Sequence, residues 1–361
     1  MVEFAVRVPE EMQPVDAVFL AGDGDAFGGW RADGLRLDRW GDGSYRTRLD
    51  LPLGAHCRYL VTRGSWRGVE NEGEGRERLE RELRVDGPLS IDLSVAGWGR
   101  DSIRYHHDFH SHHLVHNRSV TVYLPPHYYR EPSRRYPVLY MHDGQNLFDA
   151  ETAFAGNPWN CDEVAERVIR AGECESLIIV GVGNTPDRLR EYGPRLHETD
   201  DDLAQRYGRL LVEEVKPFID AAYRTRRGPE STGVGGSSMG GLISLHLCEW
   251  YPEVFGKCAA MSPSVWWDRE NFARNVPANP RWLERTRVWL DMGGLEGATS
   301  AGMRSNLRRT RRLALQFRHL GLKNGEHFRY LEVPNGRHNE RDWSWRFDQV
   351  LRFLFPVPKV E

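Results

Sequence analysis

The sequence is poor in cysteine and contains no long hydrophobic run. Its five cysteines are scattered among 361 residues without a Cys-x-x-Cys pair, which indicates neither a disulfide framework nor a cysteine-based zinc site. No run reaches the roughly 18 apolar residues of a membrane-spanning helix. Charged residues interrupt the apolar stretch near the N-terminus, where a secretion signal would be continuous. We therefore expect a cytoplasmic protein with reduced thiols and no membrane partner.

The chain also lacks a large net charge of either sign. Its formal net charge is −3, which argues against a nucleic-acid partner. The arginine-rich stretch 304–318 places its apolar residues and its arginines on different helical faces, as a solvated helix does. Gly181-Val182-Gly183 is too short for a dinucleotide-binding loop. Six histidines within 106–116 have no ligand framework beyond Asp108, so we predict no metal and no cofactor.

The length and the change of pattern along the chain predict two domains. Residues 1–96 contain short strand-like segments separated by turns rich in glycine and aspartate, which is typical of a small all-β sandwich. The strands are predicted at 3–8, 17–21, 44–49, 57–62 and 80–85. Residues 97–108 resemble a linker. From 109 to 361, apolar strands alternate with helices, which predicts an α/β fold with a mostly parallel sheet covered on both faces. One helix, 201–223, is expected to kink near Pro217.

The most informative motif is Gly-Gly-Ser-Ser-Met-Gly-Gly at 235–241, which contains Gly-x-Ser-x-Gly centred on Ser238. An apolar stretch precedes it and a helix-like stretch follows. The nucleophile of an α/β-hydrolase occupies such a strand-to-helix turn, where the backbone is strained and neighbouring elements come close. Glycine at 236 and 240 would relieve that crowding. The helix N-terminus would direct free N–H groups towards the serine oxygen.

A nucleophilic serine needs a base and a carboxylate that orients the base. His338 follows the last predicted strand, in a loop beside Gly336. Two carboxylates, Asp291 and Glu296, follow Ser238 and precede His338, which is the chain order of an α/β-hydrolase. Asp291 stands at a strand end, whereas Glu296 lies further into the loop. We favour Glu296 as the acid and keep Asp291 as the alternative.

An acyl-transfer site also needs two backbone donors for the oxyanion. The first candidate is the N–H of Met239, directly after Ser238. The second is the N–H of Gln145, in the loop His142-Asp143-Gly144-Gln145-Asn146 after a predicted strand. The alternative for this loop is an ordinary turn.

The region from about 109 to 356 resembles the putative esterase (esterase D-like) family of α/β-hydrolases. The matching stretches are Val122-Tyr-Leu-Pro-Pro126, Tyr136-Pro-Val-Leu-Tyr-Met-His-Asp-Gly-Gln-Asn-Leu-Phe148, Arg190-Glu-Tyr192, Glu214-Val-Lys-Pro-Phe-Ile-Asp220, the Ser238 motif, and Gly336-Arg-His338 with Trp343. In that family the acid usually stands three residues after a glycine, a spacing that Gly293 and Glu296 match, although many members have Asp there.

The same resemblance implies a substrate wall. Trp159, Trp266 and Trp267 follow strand ends near the expected active face and would suit a phenolic, catecholic or sugar group; core packing is the alternative. Arg188 and Arg190, after the predicted strand at 177–182, could contact an anionic or hydroxylated acyl group or could be ordinary loop residues.

The N-terminal region resembles early-set immunoglobulin-like domains and the starch- and glycogen-binding modules related to them. Those modules stack paired exposed tryptophans on sugars. Trp30 matches one position, but the second position, near 69–70, has no tryptophan, although Trp66 is close. A glycan contact through this domain is therefore possible, and a purely structural domain is the alternative.

The resemblance and the motifs together imply a serine carboxylic-ester hydrolase that forms an acyl-enzyme on a small phenolic, siderophore-type or carbohydrate ester. Two alternatives stay open. One is an acyltransferase to a sugar, and the other is a glycan-binding protein whose hydrolase domain is a scaffold. The sequence does not determine the oligomeric state.

Overall fold

A computed structural model describes residues 1–9, 15, 17–194 and 202–358. Contacts within the chain divide it into two compact units. The first comprises Met1–Ser102, Pro125–Ser133 and Asp162–Cys174, and the second comprises Ile103–Leu124, Arg134–Cys161 and the residues from Glu175 onward.

The first unit is built from short strands, as the turn-separated pattern of the sequence favours. They are β1 (Val2–Arg7), β2 (Val18–Gly22), β3 (Leu35–Arg39), β4 (Tyr45–Leu49), β5 (His56–Thr62), β6 (Glu70–Asn71), β7 (Arg81–Arg84), β8 (Leu89–Ser94) and β9 (Gly97–Trp98). Seven of them form a sheet in the order β7-β5-β2-β3-β4-β1-β8. Most neighbours are antiparallel, while β1 and β8 run parallel. Helix α1 (Cys161–Arg170) supplies most of its residues to this unit.

Trp30 and Trp66 lie in the interior of the first unit and not on its surface. Trp30 is 1% exposed, and its Nε1 donates a hydrogen bond to Asp23 Oδ1 over 2.9 Å. Trp66 is also buried, and the two indole rings lie 6.3 Å apart. Side chains packed in this way offer no ring face to a sugar, so this conformation does not provide the paired exposed tryptophans that the glycan hypothesis requires.

The second unit contains the larger sheet and most of the helices. Its strands are β10 (Ile103–Phe109), β11 (Arg118–Tyr123), β12 (Val138–His142), β13 (Ile178–Val182), β14 (Thr232–Ser237), β15 (Lys257–Met261), β16 (Arg287–Gly293) and β17 (Phe328–Val333). Its helices are α2 (Arg188–Glu191), α3 (Leu203–Arg209), α4 (Lys216–Ala222), α5 (Met239–Trp250), α6 (Trp267–Asn275), α7 (Ser300–His319) and α8 (Glu340–Leu354).

The eight strands follow the order β10-β11-β13-β12-β14-β15-β16-β17. Strands β10, β11 and β13 pair antiparallel, and all pairs from β13 to β17 are parallel. Every residue of β12, β13 and β14 is buried, as expected of central strands with both faces covered. The carboxyl ends of parallel strands share one edge of the sheet, so the loops after β12, β14, β16 and β17 lie at the same edge.

The helix predicted at 201–223 consists of three segments, and residue 201 lies outside the described residues. Helices α3 and α4 are joined by a π-helical stretch, Leu210–Val215. Pro217 lies in the first turn of α4 and has no N–H to donate, so the widened turn before it replaces the simple kink that the sequence indicated. Among the described residues, no helix has the length and apolar character needed to cross a bilayer.

Candidate active site

Ser238 occupies the sharp turn between β14 and α5. Its backbone angles, φ 57° and ψ −121°, lie in a region that non-glycine residues rarely adopt. Ser238 N–H donates to the Met261 carbonyl over 3.0 Å, which ties the turn to β15. The side chain thus stands at the N-terminus of α5, where the helix dipole favours negative charge.

Glycines surround this turn because there is little room for side chains. A Cβ added at Gly235 would lie 2.5 Å from Ala259 Cβ, and one at Gly241 would lie 2.9 Å from the Met261 carbonyl oxygen. The added atoms at Gly236 and Gly240 would lie 3.1 Å and 3.3 Å from His142. The crowding is therefore tightest one residue outside the two positions that the motif singles out.

A continuous hydrogen-bond chain joins Ser238, His338 and Glu296. His338 Nε2 lies 3.0 Å from Ser238 Oγ, and His338 Nδ1 lies 2.7 Å from Glu296 Oε2. The three residues come from the turn after β14 and from the loops after β16 and β17. The imidazole also contacts Trp343 edge to face, with ring centroids 4.9 Å apart. The structure thus brings together the three residues that the sequence assigned to proton transfer.

Asp291 lies behind this chain and does not contact His338. Its Oδ1 accepts from Arg346 Nη2 over 2.9 Å and from the Ser262 N–H over 3.0 Å. Its Oδ2 accepts from Trp289 Nε1 over 2.7 Å. Between the two candidate acids, the one that touches the imidazole is Glu296.

Glu296 is 1% exposed and accepts donors on both carboxylate oxygens. Oε1 accepts from the Gly293 N–H over 2.8 Å and from the Ser262 hydroxyl. Burial alone would raise the pKa of Glu296, but hydrogen bonds from His338 and Ser262, with the charges of His338 and Arg346, lower it below its ordinary value. The carboxylate is therefore ionised where it meets the imidazole.

Of the two backbone donors proposed for the oxyanion, Met239 directly follows Ser238, and Gln145 lines the same cavity as Ser238. Met239 is the first residue of α5, so its N–H has no acceptor within the helix. Gln145 lies in a single turn, Gly144–Asn146, that closes through the Asn146 N–H on the Asp143 carbonyl. The Gln145 N–H comes one residue before this donor, too early in the turn to have a carbonyl behind it within the turn. Gly144 is required there because an added Cβ would lie 2.4 Å from the Gly181 carbonyl carbon.

A cavity of about 500 Å³ opens over Ser238. Its lining combines polar groups with two aromatic rings: Asp143, Gln145, Asn146, Thr152, Phe154, Asn184, Arg188, Ser237, Ser238, His338, Glu340 and Trp343. Phe154 is largely exposed and stands among polar loop residues, where nothing in the sequence marked it. The cavity is large enough for a small ester with one aromatic or sugar-sized group.

Several residues predicted for the substrate wall lie elsewhere. Trp159 is buried against Trp343 and Phe347, with ring centroids 5.7 Å and 5.9 Å away. Trp266 is 48% exposed, and Trp267 Nε1 donates to the Pro194 carbonyl; neither lines the cavity. Arg190 is exposed beside Asp187 and is likewise absent from the lining. Side-chain direction at a strand end or in a short helix depends on tertiary packing, which the sequence pattern does not contain.

Arg188, and not Arg190, reaches the cavity. Its Nε and Nη2 donate to Asp143 Oδ1 and Oδ2 over 2.6 Å and 2.8 Å. Burial would lower the pKa of Arg188, but the hydrogen bonds and charge of Asp143 raise it above its ordinary value. Burial raises the pKa of Glu340, and the nearby charge of Asp143 adds to that rise.

A second histidine, His142, lies under the Ser238 turn. Its Nδ1 is 2.7 Å from the Tyr207 hydroxyl. Complete burial lowers the pKa of His142 to about 3; the charge of Asp143 opposes this shift and that of Arg188 adds to it. His142 is therefore neutral at ordinary pH, and His338 is the imidazole within reach of Ser238 Oγ.

Histidines of the segment 106–116 contact different partners. His106 bonds the Tyr223 hydroxyl, His113 pairs with Glu213, and His116 pairs with Asp187. Within the described ranges, no group of three or more histidine, cysteine or acidic side chains could hold a metal ion.

The chain has relatives among known proteins. The model of the family described as "Putative esterase" matches residues 111–354. The chain is 27% identical over 254 residues to the uncharacterized protein YbbA of Bacillus subtilis (strain 168), which covers 68% of this chain and 95% of YbbA. Its fold is similar to that of the BES protein from Bacillus cereus, with a TM-score of 0.57 and 21% identity over 71% of this chain and 96% of that one.

A third similarity extends over almost the whole chain. The enterobactin esterase FES from Shigella flexneri, solved in the presence of 2,3-di-hydroxy-N-benzoyl-glycine, has a TM-score of 0.55 and 17% identity. The match covers 98% of this chain and 92% of that one.

Proposed function

Since the chain belongs to the putative esterase family and is an esterase, we propose that it hydrolyses carboxylic esters through a covalent acyl-enzyme on Ser238. The observation that carries the proposal is the hydrogen-bond chain from Ser238 Oγ through His338 to Glu296. A serine hydroxyl is a weak nucleophile unless a positioned base removes its proton. Here His338 is the base, and Glu296 is the acid that orients it.

In the first half of the proposed reaction, Ser238 Oγ attacks the ester carbonyl carbon while its proton moves to His338 Nε2. The N–H groups of Met239 and Gln145 hold the negative charge on the carbonyl oxygen. Glu296 stabilises the imidazolium without taking its proton. The tetrahedral intermediate collapses when His338 donates that proton to the departing alcohol oxygen, which leaves Ser238 acylated.

Water completes the reaction. His338 Nε2 removes a proton from the water as its oxygen attacks the acyl carbon. The same proton then returns to Ser238 Oγ when the bond to the acyl carbon breaks, so that acid is released and the serine is restored. No cofactor takes part in this sequence of steps.

The cavity supports an ester of a small phenolic, siderophore-type or carbohydrate compound. Phe154 offers an exposed ring for stacking, and Gln145, Asn184 and Thr152 offer hydrogen-bonding groups for hydroxyls. The FES structure was solved in the presence of a compound with a dihydroxybenzoyl group, which is consistent with a phenolic group here. Transfer of the acyl group to a sugar instead of water is the second candidate, because the same lining could hold a hydroxylated acceptor.

Fluorophosphonate labelling tests the proposed nucleophile directly. We expect one label at pH 7–8, on the peptide that contains Ser238, because only a serine with a bound base reacts readily. Mass spectrometry of the digested protein locates it. His338→Ala should abolish labelling while leaving thermal unfolding nearly unchanged. A label on another serine, or none on the folded protein, would reject Ser238 as the nucleophile.

The charge of the cavity predicts a preference for uncharged esters. Asp143 is paired with Arg188, so the carboxylate of Glu340 adds a negative charge to the lining of the same cavity. At pH 8, Glu340→Gln should raise kcat/KM for an aryl ester with a carboxylate on its acyl group about fivefold, which corresponds to roughly 1 kcal/mol of relieved repulsion. The matched uncharged ester should change little.

The distant surface variant Glu326→Gln is the control for this comparison. An equal change for both esters in Glu340→Gln would contradict the electrostatic explanation, because a general effect on the site does not depend on substrate charge.

A further inference from the structure

A buried cluster of polar side chains lies behind Glu296, on the side away from His338. It contains Arg346 from α8, Asp291 from β16, and Ser262, which follows β15. We propose that these three act as positioning residues that keep Glu296 ionised, aim its Oε2 at His338 and fix which imidazole nitrogen carries the proton. The proposal rests on the proposed role of Ser238 and deepens it.

The direction of the hydrogen bonds follows from groups that can only donate. Trp343 Nε1 and Arg346 Nη2 both reach Ser262 Oγ, over 3.1 Å and 2.6 Å. Neither group can accept a hydrogen bond, so the serine oxygen is the acceptor in both. Its single proton is then free for Glu296 Oε1, which is closer to the hydroxyl than Asp291 is.

These hydrogen bonds determine which nitrogen of the His338 imidazole carries the proton. Glu296 Oε1 receives the Ser262 hydroxyl and the Gly293 N–H, which are both donors. A carboxylate held in this way is an acceptor on its other oxygen as well, so the proton between Glu296 and His338 belongs to Nδ1. Nε2 is then unprotonated and able to accept the proton of Ser238. A fixed tautomer is what a serine–histidine pair requires for general-base catalysis.

The charges of the cluster stand directly behind the carboxylate that meets His338. Arg346 is 3% exposed, and its Nη2 lies 2.9 Å from Asp291 Oδ1 and 3.5 Å from Glu296 Oε1. One buried cation thus stands between two carboxylates. The charged groups on the elements next to His338 are Glu296, Arg346 and Asp291 behind it, Glu340, Asp143 and Arg188 in the cavity lining, and Arg337 and Asp342 in its own loop and the first turn of α8.

Removing one member at a time should shift the pH dependence in opposite directions. The acidic limb of kcat/KM reports protonation of His338, because only the neutral imidazole is a base. Arg346→Met removes a positive charge, which favours the imidazolium and moves the limb to higher pH. Asp291→Asn removes a negative charge, which disfavours the imidazolium and moves the limb to lower pH. We expect each shift to be about 0.5 to 1 pH unit.

The experiment compares pH profiles of kcat/KM for wild type, Arg346→Met, Asp291→Asn and the double variant, with an uncharged aryl ester. The double variant restores the net charge, so its limb should return to within about 0.3 pH unit of wild type. Arg311→Met provides a control with the same change of residue, because Arg311 lies exposed in the middle of α7, pairs with Glu332 of β17 and should leave the limb unchanged. Arg346→Lys keeps the charge and should also leave the limb near its wild-type position.

Each outcome decides the proposal. Opposite shifts with compensation in the double variant support it. Shifts of the same sign, or activity lost with an unmoved limb, would mean that the cluster only supports the fold. If Arg346→Met does not fold, the direction of the shift in Asp291→Asn still decides the proposal, with Arg346→Lys as the variant that keeps the charge and should not move the limb. Fluorophosphonate labelling of Ser238 in each variant separates the two proposals. If Ser238 is still labelled but the limbs do not shift, the positioning role of the cluster is rejected and the assignment of the nucleophile is kept.

Discussion

Ser238→Ala is expected to lower kcat/KM for a small aryl ester by about 10⁴- to 10⁶-fold, because it removes the atom that forms the acyl-enzyme. The change deletes one hydroxyl at a half-buried position and keeps the β14–α5 turn. Thermal unfolding should therefore be nearly unchanged, or slightly favourable to the variant if the strained turn relaxes. Steady-state hydrolysis and melting temperature together make the measurement.

The chain offers a matched control for this substitution in the preceding residue. Ser237 lines the same cavity, but the bond to His338 Nε2 is made by Ser238 Oγ. Ser237→Ala should reduce kcat/KM by less than about tenfold, since it leaves the proton-transfer chain intact. A similar loss in both variants would indicate that the turn, and not the Ser238 hydroxyl, determines activity. Retention of activity in Ser238→Ala would contradict an acyl-enzyme on this residue.

The sequence predicted Ser238, His338 and Glu296, the residues joined by the hydrogen-bond chain, because each one follows a recognisable apolar strand. Parallel strands deliver the loops after β14, β16 and β17 to one edge of the sheet, so strand order and residue type were enough to identify Ser238, Glu296 and His338 as candidates. The mostly parallel sheet followed from the same alternation of strands and helices. The shared family assignment agrees with that reading of the chain.

The residues that hold the site in place were much harder to identify. Arg346 falls on the same helical face as Trp343, Phe347 and Val350, all of which are buried. A charged residue within an apolar stripe indicates a buried charge with a partner, but periodicity does not name that partner. Ser262 is similarly inconspicuous, because its importance comes from four groups that meet only in the folded chain.

The aromatic residues show a different limit of the sequence. Residue type makes Trp30 and Trp159 candidates for binding surfaces, with a purely structural role as the alternative, and both are buried, as is the nearby Trp66. Large aromatic side chains contribute strongly to cores, and residue type alone does not separate the two uses. Phe154 and Trp343, which do line the cavity, stand in a loop and on a helix whose orientations depend on long-range packing.

Glu296→Gln is expected to lower kcat/KM by about 10³- to 10⁴-fold. Asp291→Asn should lower the pH-independent value of kcat/KM by less than about thirtyfold. The substitutions are chemically equivalent, since each replaces a buried carboxylate with its amide. Their different effects follow from the atoms that each carboxylate meets: His338 for Glu296, and Arg346 and Trp289 for Asp291.

The large effect of Glu296→Gln depends on how the amide must orient. The Gly293 N–H requires an acceptor at the position of Oε1, so the amide oxygen occupies that position and the NH₂ group faces His338 Nδ1. The imidazole then accepts at Nδ1 and carries its proton on Nε2, where it can no longer take the proton of Ser238. Fluorophosphonate labelling should slow in parallel with hydrolysis, and thermal unfolding identifies any loss of fold. If Asp291→Asn caused the larger loss in a folded protein, the assignment of the acid would have to be exchanged.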